Sequence, residues 1–140
     1  MIKKILFVFL LSYTAAGFAQ QEDAILGTWL TQIEDAHVQV YKKGNEYFGR
    51  VVWMAEPLDD DGKPQVDKEN PNPQLKSRPI LKMDILTGFN YEDNEWVDGF
   101  IYDPKSGETY DCKLWLENGD LKVRGYLGWL FDTKTWTRLK

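Results

Sequence analysis

The side chains best suited to chemistry are few in this sequence and do not cluster along the chain. His37 is the single histidine, so a site built from several histidines is excluded, and any nucleophile–histidine pair would have to use this residue. No G-x-S-x-G motif accompanies it, so we expect a surface histidine at the start of a strand. Cys112, the single cysteine, shares strand parity with Tyr110 and Leu114, which predicts a small core residue rather than an exposed reactive thiol.

Acidic residues are concentrated in one stretch, Leu58–Asp67. Calcium takes oxygen ligands from such loops, but the D-x-D-x-D-G pattern with a distal glutamate is absent. A solvated acidic turn without a metal is therefore predicted for Asp59, Asp60, Asp61 and Asp67. Four further carboxylates show no spacing that would separate a general acid from a general base of a glycoside hydrolase: Asp98, Asp103, Asp111 and Glu117.

Arginines offer the more specific possibilities. Arg124 is opposite in strand parity to Leu121 and Val123, so we expect it to face outward. Arg78 lies in the proline-rich stretch Lys68–Pro79, where it could contact an acidic ligand or hold the loop down through hydrogen bonds to carbonyl groups. Asn70 in the same stretch has the same two interpretations. Arg78 and Asn70 are the candidate ligand-binding residues.

These residues have to be positioned by β-strands, because no stretch shows sustained helical periodicity. Asn118-Gly119 between alternating runs is the strongest hairpin signal. Short turns between sequential antiparallel strands favour a closed up-and-down barrel over a sandwich, since closure removes the sheet edges. Eight strands enclose an interior that side chains can fill or that holds one small ligand. The predicted strands are Leu26–Gln32, His37–Lys43, Glu46–Met54, Ile80–Leu86, Trp96–Tyr102, Thr109–Glu117, Asp120–Gly128 and Thr133–Leu139.

One connection is long, the segment Ala55–Pro79. Structureless loops of this length are uncommon in compact domains and are usually functional or disordered. Asn72 followed by Pro73 is typical of a capped helix start with proline at its first position. A short helical turn around Gln74–Ser77 is therefore predicted within the loop, which we expect near the mouth of the barrel.

The N-terminal segment has the order of a secretory signal peptide. Lys3 and Lys4 precede the apolar run Ile5–Leu11, and small residues follow up to Ala19. The apolar run is far shorter than the roughly 20 residues of a membrane-spanning helix. We therefore expect residues 1–19 to be cleaved during export.

Residues 20–140 are expected to form one exported domain, periplasmic or secreted. Without the two lysines of the signal peptide it carries 15 basic against 22 acidic residues, a balance that repels nucleic acid. No cysteine follows the apolar run, so no lipid anchor and no stable membrane attachment is expected. A single cysteine cannot form an internal disulfide, so the fold must depend on its core.

Two patches at the ends of the domain are similar to those of lipocalin-like barrels. Gly27-Thr28-Trp29 is the G-x-W start of the first strand, and Trp136-Thr137-Arg138 lies on the last strand. Such barrels commonly place a basic residue of the last strand over the tryptophan of the G-x-W motif. A guanidinium stacked on an indole gains cation–π energy, about 0.5–2 kcal/mol, and the resemblance implies that Trp29 and Arg138 close the barrel.

The chain also resembles a bacterial exported family called domain of unknown function 2147. Members usually have glycine after the motif at residues 78–81, where this chain has Lys82. The resemblance implies an export signal and a compact β domain, and it implies no activity and no catalytic residues. It rests on the motifs GTW (27–29), EYFGRVV (46–52), NPNPQLKSRPIL (70–81), DGFIYDPKSGETYDCKL (98–114), LKVRGYLG (121–128) and WTR (136–138).

Three functions remain open on these grounds. The leading one is non-catalytic binding of a small apolar or amphipathic molecule inside the barrel, with no cofactor. The alternative is an envelope protein–protein interaction module with a solid core, whose exposed aromatic residues would be Trp53, Trp115 and Trp129. An enzyme comes third, because the sequence offers no nucleophile–base pair and no metal cluster.

Overall fold

A computed structural model describes residues 21–140 as a closed barrel of eight antiparallel strands in sequence order. This confirms the predicted up-and-down architecture. The predicted signal peptide, residues 1–19, lies outside the described residues. Among residues 21–140, no helix has the length and apolar character needed to cross a membrane. The strands are β1 (Gly27–Leu30), β2 (Ala36–Lys43), β3 (Glu46–Met54), β4 (Asp84–Glu92), β5 (Glu95–Asp103), β6 (Glu108–Glu117), β7 (Asp120–Leu127) and β8 (Leu130–Arg138).

The order of the strands divides the connections between the two ends of the barrel. The tight turns that follow β2, β4 and β6 lie at one end, together with the chain that leads into β1. The turns that follow β1, β5 and β7 lie at the other end, together with the long loop between β3 and β4. The predicted Asn118-Gly119 hairpin is confirmed, with Glu117 paired to Asp120 across the turn.

Aromatic side chains fill the end with the tight turns. A short 3₁₀ turn, Asp23–Ile25, precedes β1 and buries Ile25 completely. The indole of Trp29 donates to the Ile25 carbonyl at 2.9 Å, and the indole of Trp96 donates to the Glu22 carbonyl at 3.0 Å. Because buried indole N–H groups need partners, these bonds fix the N-terminal segment as a cover over this end.

The barrel closes through a short contact between β1 and β8. Only two residue pairs join these strands, Trp29 with Arg138 and Leu30 with Thr137. The Arg138 guanidinium lies 4.2 Å from the Trp29 ring centre and donates to the Leu26 carbonyl at 2.9 Å. A side chain at Gly27 would meet this guanidinium, since a Cβ there would lie 2.9 Å from Nη1. Glycine in the G-x-W motif therefore makes room for the closing arginine.

The fourth strand begins later than predicted. The prediction of a strand at Ile80–Leu86 was wrong for its first half, because residues 80–83 complete the long loop. There Lys82 N–H donates to the Val51 carbonyl at 2.7 Å, with φ at 73°. An alternating pattern cannot reveal this left-handed residue, which turns the chain before β4. The position is also the one where the resembled family usually has glycine.

The last strand and the helical turn also differ from the prediction at their boundaries. The strand β8 starts at Leu130 rather than at Thr133, since its apolar beginning lacks the alternation that marks a strand. The helical turn is confirmed as the 3₁₀ segment Pro73–Leu75, and the side chain of Asn72 caps it by accepting from the Gln74 N–H. It is shorter than the predicted span.

Replacement of Lys82 by glycine should stabilise the fold. A left-handed conformation costs a non-glycine residue about 1–2 kcal/mol, and glycine returns about 0.5–1 kcal/mol of this as unfolded-chain entropy. We expect Lys82→Gly to raise the free energy of unfolding by about 0.5–1 kcal/mol, measured by urea denaturation. Lys76→Gly is the matched control, because Lys76 has a φ of −62° and should lose stability. Equal destabilisation by both changes would contradict the assignment of strain to Lys82.

Candidate functional site

A cavity of about 870 Å³ occupies the end of the barrel that carries the long loop. Gly125 on β7 faces this space, and a Cβ there would have only ordinary contacts, 3.7 Å to Ile101 and 3.7 Å to Tyr110. The missing side chain therefore enlarges the cavity. Most of the deeper lining is apolar or aromatic, formed by Val51, Ile85, Ile101, Tyr110, Val123 and Trp136.

The long loop lies over one side of the cavity mouth, as predicted. Val66 and Ile80 from this loop line the cavity. Val66 forms an isolated bridge with Pro79, and the Ile80 N–H donates to the Gln65 carbonyl at 3.1 Å. The two arms of the loop therefore hold each other in place beside the mouth.

A buried carboxylate anchors this loop to the barrel. Asp67 is completely buried and accepts from the Tyr102 hydroxyl at 2.6 Å, from the Asn70 amide at 2.8 Å and from Arg78 Nε at 3.0 Å. Burial of a carboxylate is costly unless it is paired and hydrogen-bonded, and these three donors meet that need. The prediction that Asp67 belongs to a solvated acidic turn was wrong, although Asp59 is exposed.

This arrangement places both candidate ligand-binding residues in one network. Asn70 is buried, and Arg78, which is partly exposed, also lies 5.9 Å from the Tyr102 ring centre. Both side chains donate to Asp67 and so hold the loop. A ligand contact for Arg78 and Asn70 stays a prediction.

The turn between β5 and β6 packs closely against the same long loop. Gly107 has a φ of 75°, and a Cβ on it would overlap the Glu69 carbonyl oxygen. The glycine of the D-P-K-S-G turn is therefore needed for two reasons, its conformation and this close approach. The Gly107 N–H donates to the Asp103 carbonyl at 2.8 Å, which keeps the turn tight.

An ion pair crosses the mouth of the cavity. Lys105 in the β5–β6 turn donates to Asp35 in the β1–β2 turn at 2.8 Å. Four strands separate these turns in either direction around the barrel, so the pair divides the mouth in two. The long loop occupies one half, and the β7–β8 turn borders the other. Exposed ion pairs contribute about 0–1 kcal/mol, so this bridge is easily opened.

Of the other residues singled out in the sequence, Asp103 and Trp136 line the cavity, whereas His37, Cys112 and Arg124 lie outside its lining. His37 on β2 stacks on Trp53 at 4.3 Å between ring centres. The predicted burial of Cys112 is confirmed. Arg124 is half-buried over Trp115 at 4.8 Å. Among residues 21–140, no group of three or more histidine, cysteine or carboxylate side chains could hold a metal ion.

Comparison with known proteins places this barrel in a family. Residues 27–138 match the model of a family described as "Uncharacterized protein conserved in bacteria (DUF2147)". The chain belongs to this family. None of the curated proteins matches it.

The fold of this DUF2147 chain is similar to that of a solved structure titled "Protein HP1028 from the human pathogen Helicobacter pylori belongs to the lipocalin family". The TM-score is 0.71 with 22% sequence identity, and the match covers 82% of each chain. At this identity the likeness concerns the fold, which is a lipocalin-like barrel.

Sequence reasoning missed two residues that shape the site. Gly125 interrupts the inward series Leu121, Val123 and Leu127, and a glycine inside a strand can mark space for a ligand or a close contact. That signal was present in the sequence. No signal pointed to the bond between Asp67 and Tyr102, because 35 residues separate them.

The Tyr102–Asp67 bond predicts a specific loss of stability in alkali. Burial, followed by the hydrogen bond to the Asp67 carboxylate, raises the pKa of Tyr102 to about 12. Because this exceeds the ordinary value of about 10, the phenol stabilises the fold fully below pH 10, and the contribution disappears as the pH rises toward 12. Tyr102→Phe should lower the free energy of unfolding by about 2 kcal/mol at pH 8. The difference from wild type should shrink by pH 11.5.

Urea denaturation at both pH values measures this change. Tyr91→Phe is the matched control, since the Tyr91 hydroxyl bonds only the exposed Asn94, at 3.1 Å. A difference between Tyr102→Phe and wild type that stays constant with pH would show that the bond to Asp67 does not control the phenol.

Cys112 should be almost inert in the folded protein. Burial raises the pKa of its thiol to about 12, which lowers the thiolate fraction at pH 8 roughly a thousandfold from that of a free cysteine. We expect Ellman's reagent to modify the native thiol at least about 100-fold more slowly than the thiol in 6 M guanidinium chloride. Similar rates in the two conditions would place Cys112 outside the core.

Proposed function

We propose that this DUF2147 domain binds one small apolar or amphipathic molecule in its barrel and does so without catalysis. The observation that carries the proposal is the cavity of about 870 Å³ with its apolar lining. Ligand sites commonly measure about 300–1,000 Å³ and are lined mainly by apolar and aromatic side chains with a few polar groups. The lipocalin-like architecture supports the same class of function by fold analogy.

The character of the mouth supports a neutral or weakly amphipathic ligand. Four of the seven charged residues that border the cavity are paired with each other: Lys105 binds Asp35, and Lys134 binds Asp132 at 2.9 Å. A ligand with a strong charge at these positions would have to break one of the two pairs. An apolar body deep in the barrel and a small polar end at the mouth fit this distribution.

The polar residues near the mouth act structurally in this proposal. Asn70, Arg78 and Tyr102 all donate to one buried carboxylate, which gives each of them a structural role. They hold the loop that forms one wall of the cavity. This engagement supports a binding role over a catalytic one.

The alternative, an interaction module with a solid core, fits the cavity less well. Trp129 is 88% exposed and Trp53 is 43% exposed, whereas Trp115 is half-buried. These three tryptophans lie on different walls of the barrel, on β3, on β6 and in the β7–β8 turn. They therefore do not form one partner site.

Filling the cavity from Gly125 tests the binding proposal. The full chain is expressed, the form that accumulates is purified, and native and denaturing mass spectra show whether it retains a small molecule. Binding of the neutral dye N-phenyl-1-naphthylamine is then measured by fluorescence. Gly125→Phe should weaken dye binding at least about tenfold, because its ring occupies the space that the dye needs.

Gly125→Ala is the matched control, since its single methyl group has room beside Ile101 and Tyr110, and it should bind the dye within about threefold of wild type. Urea denaturation verifies that both variants fold. A wild-type protein with neither a retained molecule nor dye binding would overturn the proposal. So would equal dye binding by a folded Gly125→Phe protein.

A further inference from the structure

We propose that the β7–β8 side of the cavity mouth is a docking surface for the interface of a lipid bilayer, an inference that rests on the proposed function. The surface, called the lip below, is a set of exposed apolar side chains from the β1–β2 turn, the β7–β8 turn and the strand ends that flank the latter. Its members are Ile33, Leu127, Trp129, Leu130 and Phe131.

The exposure of the lip is the first observation. Trp129 is 88% exposed, and the other four members are each more than half exposed. Single exposed apolar residues are common on proteins, but a contiguous group marks an interaction site. Four of the members belong to one hairpin, and Ile33 borders the same cavity as Leu127, Leu130 and Phe131, so the lip follows one edge of the mouth.

The lip is also continuous with the cavity. Ile33, Leu127, Leu130 and Phe131 all contribute to the cavity lining. The apolar surface that solvent reaches and the apolar wall inside the barrel are therefore parts of one surface. A molecule that moves along the lip enters the cavity without crossing a polar barrier.

The barrel wall is incomplete at the same place. The strand β1 ends at Leu30, opposite Thr137, so the first seven residues of β8, 130–136, extend beyond its pairing with β1. At the boundary the Gln32 side-chain oxygen accepts from the Thr135 N–H at 2.8 Å, in place of a strand carbonyl. Beyond this point β8 has no strand partner on its β1 side among residues 21–140, and Thr31 and Ile33 of the β1–β2 turn border the cavity instead.

The combination of an exposed tryptophan and a nearby arginine favours a lipid surface as the partner of the lip. Behind the lip, the Arg124 guanidinium lies 4.2 Å from the Phe131 ring centre and forms no ion pair within residues 21–140. Asp132 is neutralised by Lys134. Trp129 in the β7–β8 turn, together with the Arg124 guanidinium beside Phe131, suits the headgroup region of a bilayer. Indoles accumulate in that region, and its phosphates attract guanidinium groups. An apolar ligand would pass between bilayer and cavity at this contact.

Vesicle binding tests the docking surface. The full chain is expressed and the accumulating form is purified, so that every variant shares the same N-terminus, which mass spectrometry identifies. Sedimentation with phosphatidylcholine vesicles gives the partition coefficient. Trp129→Ser should bind at least about tenfold more weakly than wild type. Trp53→Ser removes an exposed tryptophan from the β3 wall and should stay within about twofold.

Dye binding in the absence of lipid separates the two proposals. Trp129→Ser should bind N-phenyl-1-naphthylamine like wild type, since Trp129 does not line the cavity. Dye binding without vesicle binding overturns the docking surface and leaves the proposed function intact. Vesicle binding that requires Trp129, with neither dye binding nor a retained molecule in any variant, supports the docking surface and overturns the proposed function.

Two further outcomes would overturn the docking proposal. One is equal vesicle binding by wild type and Trp129→Ser. The other is a dimer in sedimentation equilibrium that Trp129→Ser dissociates, with no vesicle binding by either protein, because a second copy of the chain would then cover the lip.

Discussion

The contact between Arg138 and Trp29 is the interaction on which the rest of the structure depends. It joins the last strand to the first where only two residue pairs do so, and closure converts a curved sheet into an enclosed interior. The same contact sits at the end filled by aromatic side chains, with Ile25 beneath them. The interior space is therefore left to the opposite end. Because the pairing is so short, the wall between β1 and β8 stays open there.

A second constraint determines the shape of the mouth. The long loop could be a flexible flap, but Asp67 ties it to Tyr102 on β5 through a fully buried carboxylate. Removing any donor would leave part of that charge without compensation, so the loop has one preferred position. The Lys105–Asp35 pair, by contrast, is exposed and weak. The mouth thus combines a rigid wall on the loop side with a readily opened bridge and an apolar lip on the other side.

Much of the fold could be predicted from local patterns. Alternation identified most of the strands, and Asn118-Gly119 and Asn72-Pro73 specified a hairpin and a capped turn through their own backbone chemistry. The errors came from alternation that continues into a loop at residues 80–83 and from its absence at the start of β8. The strand β4 was placed too early because Lys82 holds a left-handed conformation, and β8 was started too late because Leu130 and Phe131 read as one apolar run. The acidic stretch was misjudged at Asp67, whose donors come from elsewhere in the fold.

The sequence by itself determined the architecture, because strand period, turn residues and the paired G-x-W and W-T-R motifs are local properties. It also determined that Cys112 belongs to the core. Only the tertiary structure decided that the core stops short of the open end, that Gly125 leaves room there, and that Asp67, Asn70 and Arg78 form one anchor. Those features depend on which side chains meet across the barrel. Contacts between residues distant in the chain are set by register and closure, which no local pattern contains.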